Sequence, residues 1–260
     1  MSLTLPVKIN FYWDCYYPEG RFEEIKQTFD LNLNNPLFDQ IICYYCKQNK
    51  NNLIPEESDK VKVVEIRTAF PYWDDMFHLT NHLTGDYDIN IISTNDIIYG
   101  SWDRQLLNHY LRPDSFFCIA RHELYEKWQD YHNLSNLPSH KTELAGNSAD
   151  VWVYRGKIRI FGGHIGKGSI WGGEEVLAEQ AFRNGYMPSN PGLLFPTYHN
   201  HLNASIRSGW PSENNKSKHC YTLKTGRCIC MPYNPQVSDA PYPQTLYFDF
   251  ELPEYTPKLV

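Results

Sequence analysis

The sequence predicts an α/β fold, with a mostly parallel central sheet, helices on both faces and an irregular Pro-rich C-terminal tail. Three observations predict it. Apolar runs of strand length alternate with segments whose apolar residues recur at helical spacing, the pattern of strand–helix–strand units. At 260 residues the chain is long enough for one large α/β body. The last fifty residues hold seven of the seventeen prolines and show no period, which suits a wrapping tail or lid better than a sheet.

The elements follow in order. Residues 7–13 read as a first strand, and Phe22, Ile25, Phe29 and Leu33 give the next segment a helical face that stops at Asn34-Asn35-Pro36. A second strand spans about 38–46 and a third spans 61–66, separated by an Asn/Lys-rich loop. A second helix is predicted from Pro71 to His82, then a strand over Asp88–Thr94. Beyond residue 100 the spacing predicts a short helix at 102–111, strands at 115–121 and 149–154 around a polar loop, and a glycine-rich stretch from Gly162 to Gly173. Glu174 to Asn184 reads as a helix with Leu177, Ala178, Ala181 and Phe182 on its apolar face, closed by Gly185. The run Gly192–Thr197 is strand-like. These elements make one domain over 1–210, with residues 211–260 as an extension packed on it.

Composition narrows the function. Lys and Arg total 24 against 30 Asp and Glu, a formal charge of −6, so a sequence-independent grip on nucleic acid phosphates is not expected. Aromatics reach 15%, which suits stacking on sugars and bases as well as core filling. Lys8, Asn10 and Asp14 interrupt the first apolar stretch, so neither a signal peptide nor a transmembrane segment is expected. The seven cysteines are an odd number, several of them in strand-like runs, and predict reduced thiols in a cytoplasmic protein. A zinc cluster of Cys43 and Cys46 with His219, Cys220, Cys228 and Cys230 is disfavoured, because residues three apart on a strand face opposite ways.

Ligands of open parallel sheets bind outside the carboxyl ends of the strands, so chemistry is sought where strands stop. Asp96 follows the run Ile89–Ile92 through Ser93-Thr94-Asn95, a place from which a carboxylate can hold a divalent cation on a pyrophosphate; the plain alternative is a turn-capping aspartate. Gly172 and Gly173 clear side chains in front of Glu174, giving a substrate access to a carboxylate at a helix start, although acidic first turns are also ordinary helix punctuation. His199 and His201 stand at i and i+2 in an extended segment, on one face, where they can bind a metal or a phosphate.

Several segments together resemble a family of GT-A glycosyltransferases of bacteria and large DNA viruses. They are Arg21-Phe-Glu-Glu24-Ile with Leu31–Asn35, Ser93-Thr-Asn-Asp96-Ile, Phe117-Cys-Ile-Ala-Arg121, Ser148-Ala-Asp150-Val-Trp152, Gly172-Gly-Glu174-Glu175, Asn184-Gly-Tyr186 to Pro191, and His199-Asn-His201 with Arg207. Their order over roughly residues 7–210 carries the resemblance. It implies a GT-A fold and transfer of a sugar from a nucleoside diphosphate sugar to a glycan or glycoprotein acceptor, with Mn²⁺ or Mg²⁺ as cofactor. It implies that Asp96, beside Asn95, binds metal and diphosphate, that Asp150 and Glu174 line the sugar pocket, and that His199 or His201 completes the metal or phosphate site. Arg67 and Arg121 would hold the nucleotide. In an inverting reaction Glu174 is the general base; in a retaining one it binds the acceptor. Two other readings stay open: a sugar-phosphate nucleotidyltransferase, and a non-catalytic carbohydrate-binding protein on the same fold.

Overall fold

A computed structural model describes residues 7–67, 73–123, 144–158, 177, 181, 184–192, 194–200, 228–230, 246–250 and 255–259. The strands are β1 (Ile9–Asp14), β2 (Gln40–Tyr45), β3 (Val61–Glu65), β4 (Ile89–Ser93), β5 (Ile97–Tyr99), β6 (Ser115–Glu123), β7 (Leu144–Arg155), β8 (Met187–Ser189) and β9 (Thr197–His199), with β10 (Cys228–Cys230), β11 (Leu246–Phe250) and β12 (Tyr255–Leu259) in the tail. The helices are α1 (Phe22–Leu33), α2 (Trp73–Leu83) and α3 (Arg104–Tyr110). The main sheet has the order β3-β2-β1-β4-β7-β6-β9-β5, with β8 beside β6.

The predicted fold class holds. β3, β2, β1 and β4 are parallel neighbours, and β8 and β9 each run parallel to β6. Only the pairings of β7 with β4 and β6, and of β5 with β9, are antiparallel in this sheet. Period-two alternation divides the side chains between two cores. Phe11, Trp13, Ile41, Ile91, Phe117 and Val153 pack on one face with Ile25 and Phe29 of α1 and Leu107 and Tyr110 of α3. Tyr12, Ile42, Ile92, Phe116, Trp152 and Tyr154 pack on the other with Met76 and Phe77 of α2 and with Leu177 and Ala181. Covering on both sides is why every residue of β1 and β4 is buried while β3, at the edge, is half exposed.

Helices form where local chemistry favours them. α1 turns Ile25 and Phe29 inward while Lys26 and Asp30 pair at 2.5 Å on its outer side. Asp103 caps α3, its side chain accepting from the backbone N–H of Gln105 and Leu106 at 2.7 and 2.9 Å. Leu177 and Ala181 are helical and fully buried, as the apolar face predicted, and the chain then leaves the helix through Gly185 at φ 86°. The Tyr186 N–H reaches back to the Ala181 carbonyl at 3.0 Å, the bond that closes a helix ending on a left-handed glycine.

Four strand steps separate β4 from β5 in this order, about 19 Å in a flat sheet, yet the four residue steps from Ser93 to Ile97 reach at most about 14 Å. The sheet therefore curls, and β5 returns over the α1 face, where Ile97 and Tyr99 join the same core as Phe11. Asn32 and Asn35 fasten it: Asn32 Nδ2 donates to the Ile97 carbonyl at 2.8 Å, and its Oδ1 accepts the Tyr99 N–H at 3.1 Å.

Beyond the short strands β5 and β8, which no period marks, the structure departs from the sequence reading in three places. The apolar run Gly192–Thr197 is not a strand: the Phe195 N–H turns back to the Pro191 carbonyl at 2.9 Å, and the strand begins only at Thr197. Pro191 and Pro196 bracket this segment, and proline supplies no N–H to a ladder. β7 begins at Leu144, inside the expected polar loop. The tail contains an antiparallel sheet, β10-β11-β12, where the sequence shows no period.

Gly156, which ends β7, has φ 65°, and a Cβ there would lie 2.3 Å from the Asp86 carbonyl oxygen. Gly156→Ala should therefore cost at least about 2 kcal/mol, from the left-handed backbone plus displacement of a neighbouring main chain. Urea unfolding measures it; an unchanged midpoint would show that the Asp86 turn yields freely.

Candidate active site

Helix placement locates the crevice before any motif is considered. α1 joins β1 to β2 over one face and α2 joins β3 to β4 over the other, so the connections diverge between β1 and β4. In open α/β sheets that divergence at the carboxyl ends is where ligands bind. Here the carboxyl ends of β1 and β4 carry Asp14 and the turn Thr94-Asn95-Asp96. Asn95 spans the gap: its Nδ2 donates to the carbonyls of Asp14, at 3.2 Å, and Tyr16, while its own carbonyl accepts from Trp13 Nε1 at 3.4 Å.

The neighbouring strands deliver the other predicted residues to the same edge. β7 runs antiparallel to β4, so its Asp150 lies level with the end of β4, and the Thr94 N–H donates to the Asp150 carbonyl at 3.2 Å. β6 and β9 run with β4 and bring Arg121 and His199. Arg121 is ion-paired to Asp150 through Nη1 and Oδ2, both side chains buried. Arg67 follows β3 at this edge and is exposed, about 14 Å away from β4 by strand spacing. Thus Arg67, Asn95, Asp96, Arg121, Asp150 and His199 all belong to the carboxyl edge. Glu174 and His201 lie outside the described residues.

Asp96 is the most heavily engaged of them. Its Oδ2 accepts from Arg21 Nη1 and pairs with His199 Nε2, both at 3.1 Å. Arg21 is held in turn: Nε and Nη2 donate to Glu24 Oε1 at 3.1 and 2.5 Å, and Nη2 also donates to the Asn200 carbonyl at 3.0 Å. Asn200 closes the ring. Its N–H donates to the Asp96 carbonyl at 2.7 Å, and its Nδ2 donates to the Glu24 carbonyl at 3.1 Å and Thr28 Oγ1 at 3.0 Å. Arg21, Glu24, Thr28 and Asn200 were not singled out as site residues from the sequence.

These contacts set the charges. Burial alone would raise the Asp96 pKa, but His199, then Arg21 and Arg121, hold its carboxyl well below the usual carboxylate range. Glu24 moves the other way: burial raises it, more than the hydrogen bond and charge of Arg21 lower it. Burial weakens the Arg21 charge, yet Asp96 and Glu24 outweigh it and raise its pKa. Glu24, Asp96 and Asp150 are thus set against Arg21, Arg121 and, when protonated, His199.

This donor set is a poor fit for a divalent cation at Asp96. Oxygen ligands hold Mg²⁺ at about 2.1 Å, whereas Oδ2 already has a guanidinium nitrogen and an imidazole nitrogen at 3.1 Å. A dication about 4 Å from a guanidinium is repelled by about 8 kcal/mol at an effective dielectric constant of 20. Glu24 and Asp150 are each committed to an arginine. Among the described residues no group of three or more His, Cys, Asp or Glu side chains is placed to share a metal. Cys15, Cys43, Cys46 and Cys118 are buried and joined in no disulfide. No described helix is long and apolar enough to cross a membrane.

No protein family matches the sequence, and no curated protein does. Among solved structures, a putative glucose-1-phosphate thymidylyltransferase from Bacillus anthracis is similar at a TM-score of 0.40 and 9% identity, covering 78% of this chain and 93% of that one. A UDP-glucose pyrophosphorylase is similar at a TM-score of 0.35 and 10% identity, covering 75% and 90%. Similarity at that level carries no information on substrate or residue roles.

Proposed function

We propose that the chain is a glycosyltransferase, moving a sugar from a nucleoside diphosphate sugar to a hydroxyl of a glycan or glycoprotein. The observation supporting this is the gathering, from separate segments of sequence, of Arg67, Asn95, Asp96, Arg121, Asp150 and His199 at one sheet edge, around the point where the helix connections diverge. The donor lies along that edge. Arg67, Arg121 and, when protonated, His199 offset the charge of the diphosphate. Asp150, oriented by Arg121, faces the sugar. Glu174, three residues before the buried helical Leu177, takes the proton of the acceptor hydroxyl as its oxygen bonds to the anomeric carbon and the bond from that carbon to the diphosphate breaks.

The test incubates the protein with a panel of nucleotide sugars and measures nucleoside diphosphate release, with and without simple glycans. Slow hydrolysis of one donor, accelerated by an acceptor, is expected. Release of pyrophosphate from a nucleoside triphosphate and a sugar 1-phosphate would instead make the protein a nucleotidyltransferase. Glycan binding with no nucleotide binding would make it a binding module.

A further inference from the structure

We propose that the Arg21 guanidinium is the resident counter-charge of Asp96, standing where a divalent cation would otherwise bind, so that this edge takes a nucleoside diphosphate without a metal. The ligand named here rests on the glycosyltransferase reading; the exclusion of metal from Asp96 does not.

Three features carry the proposal. First, Arg21 competes for the ligand atom itself, since Nη1 and His199 Nε2 both stand 3.1 Å from Asp96 Oδ2. Second, Arg21 is not poised to swing away. It is anchored on Glu24 through two nitrogens, on the Asn200 carbonyl and on Asp96, and it is 6% exposed. Leaving that pocket would strip a buried guanidinium of all these acceptors with little water to replace them. Third, the surrounding wall is fixed as well: Asn200 is bonded to the Asp96 carbonyl and to Glu24, Gln27 and Thr28 of α1. Admitting a dication would require breaking this ring rather than rotating one side chain. A permanent charge on a fork of fixed geometry thus neutralises Asp96, which a cation from solution would otherwise do.

The experiment has two readouts. Mn²⁺ binding to the protein alone is followed by electron paramagnetic resonance, for wild type, Arg21→Gln and Arg21→Lys. No saturable binding is expected for wild type or for Arg21→Lys, which keeps a positive charge, and saturable binding is expected for Arg21→Gln. Calorimetry with a panel of nucleoside diphosphates should give the same affinity for wild type in EDTA and in Mn²⁺. Saturable Mn²⁺ binding by wild type that Asp96→Asn removes would overturn the proposal, as would equal Mn²⁺ binding by Arg21→Lys and Arg21→Gln. If Arg21→Gln does not fold, the wild-type and Arg21→Lys results decide. If no nucleoside diphosphate binds under either condition, the glycosyltransferase reading and the ligand fall together, while the Mn²⁺ measurements still judge the role of Arg21.

Discussion

Asp96→Ala is expected to lower stability by about 3–5 kcal/mol, the range found when one partner of a buried ion pair is removed. The loss follows from what is left behind. Arg21 keeps Glu24 but loses its second carboxylate, and His199 loses its charged partner, both in places with almost no water contact. Urea unfolding at neutral pH reads the loss directly. Wild-type acid behaviour gives a second readout of the same group. The folded-state pKa of Asp96 lies below its ordinary 3.8, so its contribution is fully present above the unfolded value and is lost as pH falls through the folded one. Glu24 has the opposite sign: its folded pKa is above 4.5, so it costs stability at neutral pH and that cost is relieved as pH falls through the raised value. The wild type should therefore hold or gain stability down to about pH 4 and lose it below. In Asp96→Ala the loss below that point should shrink; an acid limb as steep as that of wild type would show that other carboxylates set it.

The fold was legible because its strands are short, apolar and separated by helices with clear faces. β1, β2, β3 and β4 and the three helices fall within a few residues of their predicted positions, since burial on both sides of the sheet writes itself into near-continuous apolar runs. What escaped was short or nonlocal. β5 and β8 have three residues each, too few for a period to show, and β9 has three residues beside a proline. Asp96 was found from its place after a strand and His199 from its place in an extended segment, but Arg21 and the residues that hold it were not. A signal was nonetheless present in α1 and the residues flanking it, where Arg21, Glu24, Thr28, Asn32 and Asn35 recur at helical spacing beside the apolar stripe of Ile25 and Phe29. All five are buried. Such a polar seam on an inward helix face marks a docking line. Arg21, Glu24 and Thr28 meet the loop after β9 and the Asp96 turn, while Asn32 and Asn35 grip β5. Which strand it would meet depends on the curl of the sheet, and no local pattern encodes that curl.

Glu174→Gln is expected to slow sugar transfer by about 10²–10⁴-fold, the contribution of a positioned general base, while leaving nucleoside diphosphate affinity and the urea midpoint unchanged. The substitution keeps the shape and hydrogen-bonding reach of the side chain and removes only its capacity to accept a proton. Stability should not respond, because the helix that carries Leu177 and Ala181 is secured by their burial in the core they share with Trp152 and Tyr154 and by its closure at Gly185. The kinetic pattern separates the two roles open to this carboxylate. A base acting in the transition state lowers kcat with and without saturating acceptor, whereas a group that only binds the acceptor raises the acceptor KM and spares the slow hydrolysis of donor. A fall in kcat thus goes with inversion at the anomeric carbon, and a rise in KM with retention. Wild-type values for both would remove Glu174 from the reaction and leave Asp150, already fixed by Arg121 at the carboxyl edge, as the carboxylate to test next.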